Sequence, residues 1–262
     1  MTQTFPDDAA ALPGGGRMPL LGFGTWQLRG SEAVDAISCA LEVGYRHFDT
    51  ATVYDNQAEV GATLAGSGLG RDELFVTTKI PPDRAGQEDQ ILRDSLDKLG
   101  TDYLDLWLIH WPAGNGADVD LWRVLLRALE DRRALAVGVS NYSLKQIDEL
   151  ARATGVMPDV NQIEWSPLLF DRAVLDGHRE RGVVLEGYSA LRGGTLEHPV
   201  IREIAERHRA STAQVIVRWH LQSGVVVIPK SANPDRIRGN ADVDGLELSA
   251  DDMARLNGLS GR

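Results

Sequence analysis

Cysteine and long apolar runs are the scarcest features of this sequence. Cys39 is the only cysteine among 262 residues, so no disulfide can form within the chain, and we expect Cys39 to be a small buried residue. No stretch approaches the roughly 20 apolar residues that a membrane-spanning helix needs. Residues 1–11 are acidic and lack the basic and apolar parts of a secretory signal peptide. These absences predict a cytoplasmic protein without a membrane partner.

Positive charge is also in deficit. Lys and Arg number 27 against 38 Asp and Glu, so the formal net charge is −11. Nucleic acids and anionic membranes would repel such a surface, and a small-molecule partner is therefore expected instead. The chain is 43% hydrophobic and 25% charged, which is typical of a globular protein and excludes a disordered or fibrous one.

Eight apolar runs of strand length alternate with amphipathic stretches of helix length. The runs are mostly continuous, as in parallel strands that are covered on both faces. Eight strand–helix units of roughly 30 residues each fit a single (β/α)8 TIM barrel that spans residues 1–262. An open doubly wound sheet could share this alternation, but no antiparallel edge is evident, so closure is favoured. The predicted strands are 19–23, 45–48, 73–78, 103–109, 135–139, 159–163, 183–187 and 225–228.

Local signals place turns and helix ends within this pattern. The glycine run at 14–16 predicts the turn of an N-terminal β-hairpin before the barrel. Ser143 with Gln146, and Ser211 with Gln214, have the spacing of helix capping boxes. Three glycines stand where helices are expected to end: Gly44, Gly100 and Gly182.

Four reactive side chains follow three neighbouring predicted strands. A barrel carries its chemistry at the carboxyl ends of its strands, so Asp49, Tyr54, Lys79 and His110 are expected to converge there. A phenol is a poor acid at neutral pH, but a nearby ammonium stabilises the phenolate and lowers its pKa. Lys79 would supply that charge, Asp49 would hold Lys79, and Tyr54 would donate a proton to a carbonyl oxygen that His110 orients.

Each of these side chains also has a structural interpretation. Asp49 and Lys79 could form an ion pair within the rim, Tyr54 could be a surface aromatic, and His110 could be a core histidine. The joint occurrence of all four favours acid catalysis. A proton donated to a carbonyl oxygen requires a nucleophile at the carbonyl carbon, and since no second protein nucleophile is evident, a hydride from a cofactor is the natural candidate.

The cofactor would have to bind without a Rossmann fingerprint. The nearest glycine pattern, at 66–70, precedes a strand instead of following one. The segment 230–240 offers another site, because Lys230, Arg236 and Arg238 outnumber Asp235 at the start of the helix after the last strand. Helix N-termini bind anions, and this part of a barrel is a frequent phosphate site.

Seven segments in order resemble the aldo-keto reductase family. They are 22–26 (GFGTW), 47–51 (HFDTA) leading to Tyr54, 78–80 (TKI), 103–112 (YLDLWLIHWP), 138–141 (GVSN), 161–164 (NQIE) and 228–231 (IPKS). The resemblance implies an NADPH-dependent oxidoreductase that reduces aldehydes or ketones to alcohols. It places Asp49, Tyr54, Lys79 and His110 on the four catalytic positions. We also expect a monomer and no metal site.

The resemblance also implies how NADPH would be held. Ser140, Asn141 and Gln162 match residues that hold the nicotinamide carboxamide, and Tyr188 matches the aromatic that stacks under the nicotinamide ring. Lys230 and Arg236 match the positions that grip the 2′-phosphate, so NADPH is expected over NADH. Further matching positions toward the cofactor are Thr25, Trp26, Asp49, Ser189, Leu191, Ser231 and Asn240. Gly239 departs from the family, which often has a side chain there that meets the adenine.

The substrate side is expected to be open. The loops after His110 and Tyr188 are short, and the sequence ends at Arg262, soon after its last predicted helix. A shallow pocket lined by Trp26, Tyr54, His110 and Trp111 is therefore expected to accept aldehydes and ketones of varied shape. Trp111 could instead be packing of the barrel rim.

Two other functions remain open at this point. Lys79 could form a Schiff base in a barrel aldolase, which would need no dinucleotide and would leave Lys230 and Arg236 without a role. Alternatively, the chain could be a non-catalytic regulatory protein that binds NADPH. A short-chain dehydrogenase is excluded, because Tyr54 and Lys79 do not have the Tyr-x-x-x-Lys spacing.

Overall fold

Parallel strands alternate with helices along nearly the whole chain in a computed structural model that describes residues 8–84, 86–114 and 116–260. The predicted absence of an N-terminal signal falls partly on residues 1–7, outside the described residues. The strands are β1 Ala9–Ala11, β2 Arg17–Pro19, β3 Phe23–Gly24, β4 His47–Asp49, β5 Phe75–Ile80, β6 Leu104–Ile109, β7 Ala134–Ser140, β8 Val160–Glu164, β9 Val184–Tyr188 and β10 Val226–Val227.

The helices cover the outer face of these strands. They are α1 Gly30–Val43, α2 Gln57–Ala65, α3 Glu88–Leu99, α4 Asp118–Glu130, α5 Leu144–Thr154, α6 Arg172–Glu180, α7 Pro199–His208, α8 Thr212–Gln222, α9 Pro234–Ala241 and α10 Ala250–Asn257. Within the described ranges, no helix combines the length and apolar character needed to cross a bilayer.

The eight-stranded sheet curls until its two edges meet. Strands β3 to β10 pair in parallel in chain order. A bridge between Leu21 and Val227 then joins the two edges, with Gly22 N–H donating to the Val227 carbonyl (2.9 Å) and Val227 N–H donating to the Leu20 carbonyl (2.8 Å). The (β/α)8 barrel is therefore confirmed, and the open doubly wound sheet is wrong.

The first barrel strand is shorter than predicted. The predicted strand 19–23 is divided, because Pro19 ends β2 in the hairpin and β3 begins only at Phe23. Between Pro19 and Phe23 the backbone packs closely against the His47 ring: a Cβ at Gly22 would lie 2.5 Å from Nδ1 of His47, so a side chain is excluded there. The packing of this segment against β4 therefore depends on a close contact that hydrophobic patterning does not reveal.

The N-terminal hairpin lies at the amino-terminal end of the barrel. Strands β1 and β2 pair antiparallel around the predicted turn, where Gly15 (φ 100°) and Gly16 (φ 88°) are left-handed. Asp159 ties the hairpin to the barrel, since its carboxylate accepts from the N–H groups of Gly14 (3.1 Å) and Val137 (3.0 Å).

Helix ends follow the sequence signals closely. Ser143 and Ser211 each form the predicted capping box with the glutamine three residues on. Gly44 and Gly100 are left-handed C-caps, whereas Gly182 lies one residue beyond the cap of α6. Among these caps, Ser143 lies in the loop after β7, at the end of the barrel where the strands finish.

Polar side chains fill part of the barrel interior. Residues two apart on a strand face the same side, which places pairs at successive levels along the barrel axis. The pairs are His47 and Asp49 on β4, Thr77 and Lys79 on β5, and Glu186 and Tyr188 on β9. Asp49 and Tyr188 reach the carboxyl-terminal mouth of the barrel, and Lys79 stays fully buried beneath it.

Candidate active site

A cavity of about 580 Å³ opens at the carboxyl ends of the strands. Its wall combines the aromatic and polar residues that follow the strands. The lining residues are Gly24, Trp26, Asp49, Val53, Tyr54, His110, Trp111, Ser140, Asn141, Gln162, Glu164, Tyr188, Ser189, Ala190, Leu191, Arg192, Ile228, Pro229 and Lys230. Most residues of the predicted site therefore share one cavity.

A buried ammonium joins three of the four predicted catalytic groups. Lys79 Nζ lies 2.5 Å from Asp49 Oδ1, 3.4 Å from the Tyr54 hydroxyl oxygen and 3.0 Å from the Thr50 carbonyl oxygen. Lys79 is fully buried and Asp49 is 2% exposed. Such a pair can remain charged away from water only because each ion is compensated by the other and by further hydrogen bonds.

The pKa shifts in this cluster differ in part from expectation. Burial lowers the pKa of Lys79, but Asp49 and Tyr54 outweigh burial and leave that pKa above its usual value. For Tyr54, burial raises the pKa more than Lys79 lowers it, so the phenol has a raised pKa. The prediction of a net lowering was therefore wrong, although Lys79 acts in the expected direction.

His110 lies beside Tyr54 and remains neutral at physiological pH. The ring centroids of His110 and Tyr54 are 5.7 Å apart, and the rings meet edge to face in a T-shaped arrangement. Burial and the charge of Lys79 lower the pKa of His110 to about 3. Its Nδ1 is buried without a hydrogen-bond partner among the described residues. Burial of an unpaired acceptor costs less free energy than burial of an unpaired N–H donor. This favours a proton on Nε2, the nitrogen left available to a ligand.

The predicted carboxamide-binding residues bond to one another across the mouth. The Tyr188 hydroxyl donates to Asn141 Oδ1 (2.8 Å), and Asn141 Nδ2 donates to Ser140 Oγ (3.1 Å). Ser140 in turn donates to the Gln162 carbonyl (2.8 Å). The backbone is left-handed at Asn141 (φ 63°) and at Ser189 (φ 55°), and this conformation is uncommon for residues other than glycine. Strain of this kind concentrates where strands turn outward at functional sites.

The remaining predicted cofactor residues separate into two groups. Ser189, Leu191, Trp26 and Lys230 line the cavity. Thr25 is buried behind it, where its hydroxyl donates to the Asp49 carbonyl (2.9 Å). Ser231, Arg236 and Asn240 belong to the loop and helix α9 beyond Lys230.

The N-terminus of α9 is organised by Asn233. Its side chain caps the helix by accepting from the Arg236 N–H (3.0 Å), and the Ser231 hydroxyl accepts from the Asn233 N–H (3.0 Å). Arg236 is exposed beside this N-terminus. The predicted phosphate region thus combines the positive end of a helix with the cationic side chains of Lys230 and Arg236.

Two residues of functional interest were missed by sequence reasoning. The Arg192 guanidinium lies 4.5 Å above the ring centroid of Trp26 and so bridges the cavity mouth. Glu186 is fully buried beneath the cavity, hydrogen-bonded to Gln162 (2.8 Å). A charged residue in the middle of an apolar strand, as in the sequence VLEGY, is the signal that could have identified Glu186.

The buried titratable groups predict a stability maximum near neutral pH. Burial lowers the pKa of His47 to about 3 and that of His220 to about 4, against 6.5 for an ordinary histidine. The unfolded chain therefore binds more protons below pH 6.5, and stability falls on acidification. Burial and Asp49 raise the pKa of Glu186 to about 8, so the folded chain binds the extra proton there and stability falls as the pH rises toward 8.

Denaturant unfolding at several pH values measures this balance. Three histidines whose pKa is lowered to about 3 or 4 (His47, His110 and His220) oppose one carboxyl group on the acid side, so the midpoint is expected to fall from neutral pH to pH ~5.5 and also from neutral pH to pH ~8.5. A midpoint that rises steadily across this range would contradict the assignment of neutral histidines and a neutral Glu186.

A phenol, an ammonium and a carboxylate thus meet at the strand ends, where barrel enzymes carry their active sites. The family model described as "Aldo/keto reductase family" matches residues 20–260, and the chain belongs to this family. An aldo-keto reductase of Mycolicibacterium smegmatis is 46% identical over 92% of this chain and 87% of its own length. The glyoxal reductase of Bacillus subtilis is 40% identical over 97% of this chain and 93% of its own length.

Solved structures agree with this assignment. The crystal structure of an aldo/keto reductase from Brucella melitensis superposes with a TM-score of 0.93 at 40% identity, covering 98% of this chain and 100% of that chain. The resemblance inferred from the motifs is thus confirmed. The protein is an oxidoreductase of a family that uses a nicotinamide cofactor and acts on small carbonyl compounds.

Proposed function

We propose that this protein reduces aldehydes or ketones to alcohols with NADPH, and that Tyr54 is the general acid. One observation carries the proposal: Lys79 Nζ lies between the Asp49 carboxylate (2.5 Å) and the Tyr54 hydroxyl (3.4 Å) at the base of the cavity. An ammonium in this position stabilises the phenolate that remains after a proton is donated.

The donor set of the cavity fits a nicotinamide nucleotide. The amides of Asn141 and Gln162 and the hydroxyl of Ser140 match a carboxamide, and the Tyr188 ring offers a flat apolar face. A Cβ at Gly24 would lie 2.8 Å from the Ile228 carbonyl oxygen, so only glycine lets β3 approach the segment after β10 this closely at the cavity wall. Lys230 continues the wall toward the N-terminus of α9, where an anionic phosphate would be favoured.

The proposed mechanism assigns one task to each residue. When bound, reduced nicotinamide supplies a hydride for the carbonyl carbon. Tyr54 donates its proton to the carbonyl oxygen, and Lys79, held by Asp49, stabilises the resulting phenolate. Neutral His110 donates from Nε2 to the same oxygen and so orients it. Trp26 and Trp111 form an apolar part of the cavity wall that limits access of water to the reacting atoms.

The 2′-phosphate assignment predicts a change in cofactor preference. Arg236→Ala removes a charge-assisted hydrogen bond, so the Kd for NADPH is expected to rise about tenfold or more. NADH has no 2′-phosphate and serves as the internal control, with little change expected. Both constants would be measured by quenching of tryptophan fluorescence. An equal loss for the two cofactors would remove the phosphate role of Arg236.

The decisive experiment is oxidation of NADPH in the presence of a carbonyl panel. Glyoxal belongs in the panel because of the related glyoxal reductase, beside larger aromatic aldehydes and ketones that test the proposed open pocket. Turnover with NADPH above that with NADH is the expected result. Tight binding of NADPH without turnover of any substrate would instead favour the regulatory alternative.

A Schiff-base aldolase is less consistent with the site. An amine nucleophile must lose its proton, whereas Asp49 and Tyr54 raise the pKa of fully buried Lys79. The amine also lies behind Asp49 and Tyr54 instead of projecting freely into the cavity. We further propose that the protein is a monomer in the cytoplasm.

A further inference from the structure

Glu186 is a second carboxyl group beneath the proposed catalytic cluster. It lies on β9, two residues before Tyr188 on the same face of the strand, and has no solvent exposure. Its register partners are Gln162 on β8 and Val226 on β10. An uncompensated carboxylate is rarely fully buried, so a specific environment must account for it.

One amide nitrogen links Glu186 to the cluster. Gln162 Nε2 donates to Asp49 Oδ2 (2.8 Å) and to Glu186 Oε2 (2.8 Å), so both of its hydrogens are used. Asp49 continues the chain to Lys79, and Lys79 continues it to Tyr54. An unbroken series of polar contacts therefore joins Glu186 to the hydroxyl at the base of the cavity.

The other Glu186 oxygen has no hydrogen bond. Oε1 is buried without a hydrogen-bond partner among the described residues, and His47 Nε2 lies 3.7 Å from it. His47 is neutral, since burial lowers its pKa to about 3. In the described part of the chain, no cation therefore pairs directly with Glu186, and the buried ammonium of the cluster is already bonded to Asp49.

The charge balance distinguishes the two forms of Glu186. The titratable groups that face it are His47 and Asp49 from β4, Lys79 from β5 and Tyr54 above them. With Glu186 neutral, Asp49 and Lys79 cancel. With Glu186 ionised, the interior carries an excess negative charge, and two carboxylates that share one site repel each other.

We propose that Glu186 is a positioning residue for the acid assigned to Tyr54: its neutral form supports the Gln162–Asp49–Lys79 chain, and its ionised form opposes the loss of a proton from that tyrosine. This inference rests on the proposed function. The two forms differ by one proton, which Glu186 releases to solvent as the pH rises. Burial and Asp49 raise the pKa of Glu186 to about 8, so this change falls in an accessible range.

Glu186→Gln tests the proposal, because glutamine has nearly the same shape, still offers an oxygen to Gln162 Nε2 and cannot ionise. In the wild type, kcat/KM for reduction is expected to fall about tenfold between pH ~7 and ~9.5, as one unit of pKa interaction would give. Glu186→Gln is expected to keep the neutral-pH value and lose this fall. Glu180→Gln, an exposed carboxyl on α6, is the matched control and should follow the wild type.

A spectroscopic measurement on the protein without cofactor provides a second readout. Infrared difference spectra between pH ~7 and ~9 are expected to show loss of the C=O stretch of one protonated carboxyl group. The band should be absent in Glu186→Gln and present in Glu180→Gln. The wild-type spectrum tests the proposal even if Glu186→Gln fails to fold, and a wild type without the band overturns it.

The outcomes separate this inference from the proposed function. A wild type that reduces carbonyls with NADPH but has the same alkaline profile as Glu186→Gln overturns the role of Glu186 alone. A wild type that neither binds NADPH nor reduces any carbonyl overturns the proposed function, whereas the infrared band would still report the state of Glu186.

Discussion

Replacement of Tyr54 by phenylalanine is expected to lower kcat for carbonyl reduction by about 10²- to 10⁴-fold, the usual contribution of a general acid. Phenylalanine keeps the ring that faces His110 at 5.7 Å and removes only the hydroxyl next to Lys79. Binding of NADPH is expected to remain nearly unchanged, since the proposed contacts to the cofactor come from other residues. The loss should therefore appear in kcat and leave the cofactor Kd intact.

Steady-state kinetics and fluorescence titration together measure this prediction. Tyr103→Phe is the matched control, because its ring lies under the Arg71 guanidinium (4.1 Å), away from the cavity lining, and phenylalanine preserves that contact. Near-normal turnover of Tyr54→Phe would remove Tyr54 as the acid. An equal loss in Tyr103→Phe would show that removal of a phenol hydroxyl affects the enzyme generally.

The raised pKa of Tyr54 bears on when the proton is transferred. Burial keeps the phenol protonated at neutral pH, so the acid is present in its donating form. Donation would leave a buried phenolate, which burial opposes and Lys79 favours. We therefore expect transfer to be coupled to negative charge developing on the carbonyl oxygen.

Most of the fold could be predicted because local signals agree with the barrel. Strands β6 and β7 are mostly apolar runs, and Ser143 and Ser211 mark helix starts through backbone hydrogen bonds that depend only on nearby sequence. The division at Pro19 could not be predicted, because the pairing of Pro19 in the hairpin and the close contact of Gly22 with the His47 ring of the neighbouring strand β4 are tertiary contacts. Such contacts are not encoded by hydrophobic spacing along the chain.

The candidate site likewise has a part that the sequence predicts and a part that it does not. Asp49 and Lys79 lie at the ends of their strands and His110 directly follows one, so the rule that strand ends face one mouth brings them together. The contacts of Gln162 with both Asp49 and Glu186 depend on the depth of each side chain in the barrel, which no spacing along the chain encodes. The prediction for the Tyr54 pKa was wrong for a related reason: proximity to Lys79 could be inferred, but the degree of burial could not.

Replacement of Lys79 by methionine is expected to destabilise the fold as well as abolish most activity. Methionine fills a similar volume but leaves the Asp49 carboxylate buried with the Gln162 amide as its remaining side-chain partner. Removal of one member of a buried ion pair costs about 3–5 kcal/mol, because the other charge stays out of water.

Comparison with a double variant isolates the charge from the packing. In Lys79→Met with Asp49→Asn, no buried charge is left unpaired, and the free energy of unfolding is expected to recover toward that of the wild type. Lys98→Met, on the exposed face of α3, is the control for the loss of a lysine and should unfold at nearly the wild-type denaturant concentration. If the single variant at Lys79 proved as stable as the double variant, Asp49 would not depend on Lys79, and the arrangement that supports the acid would have to be reassigned.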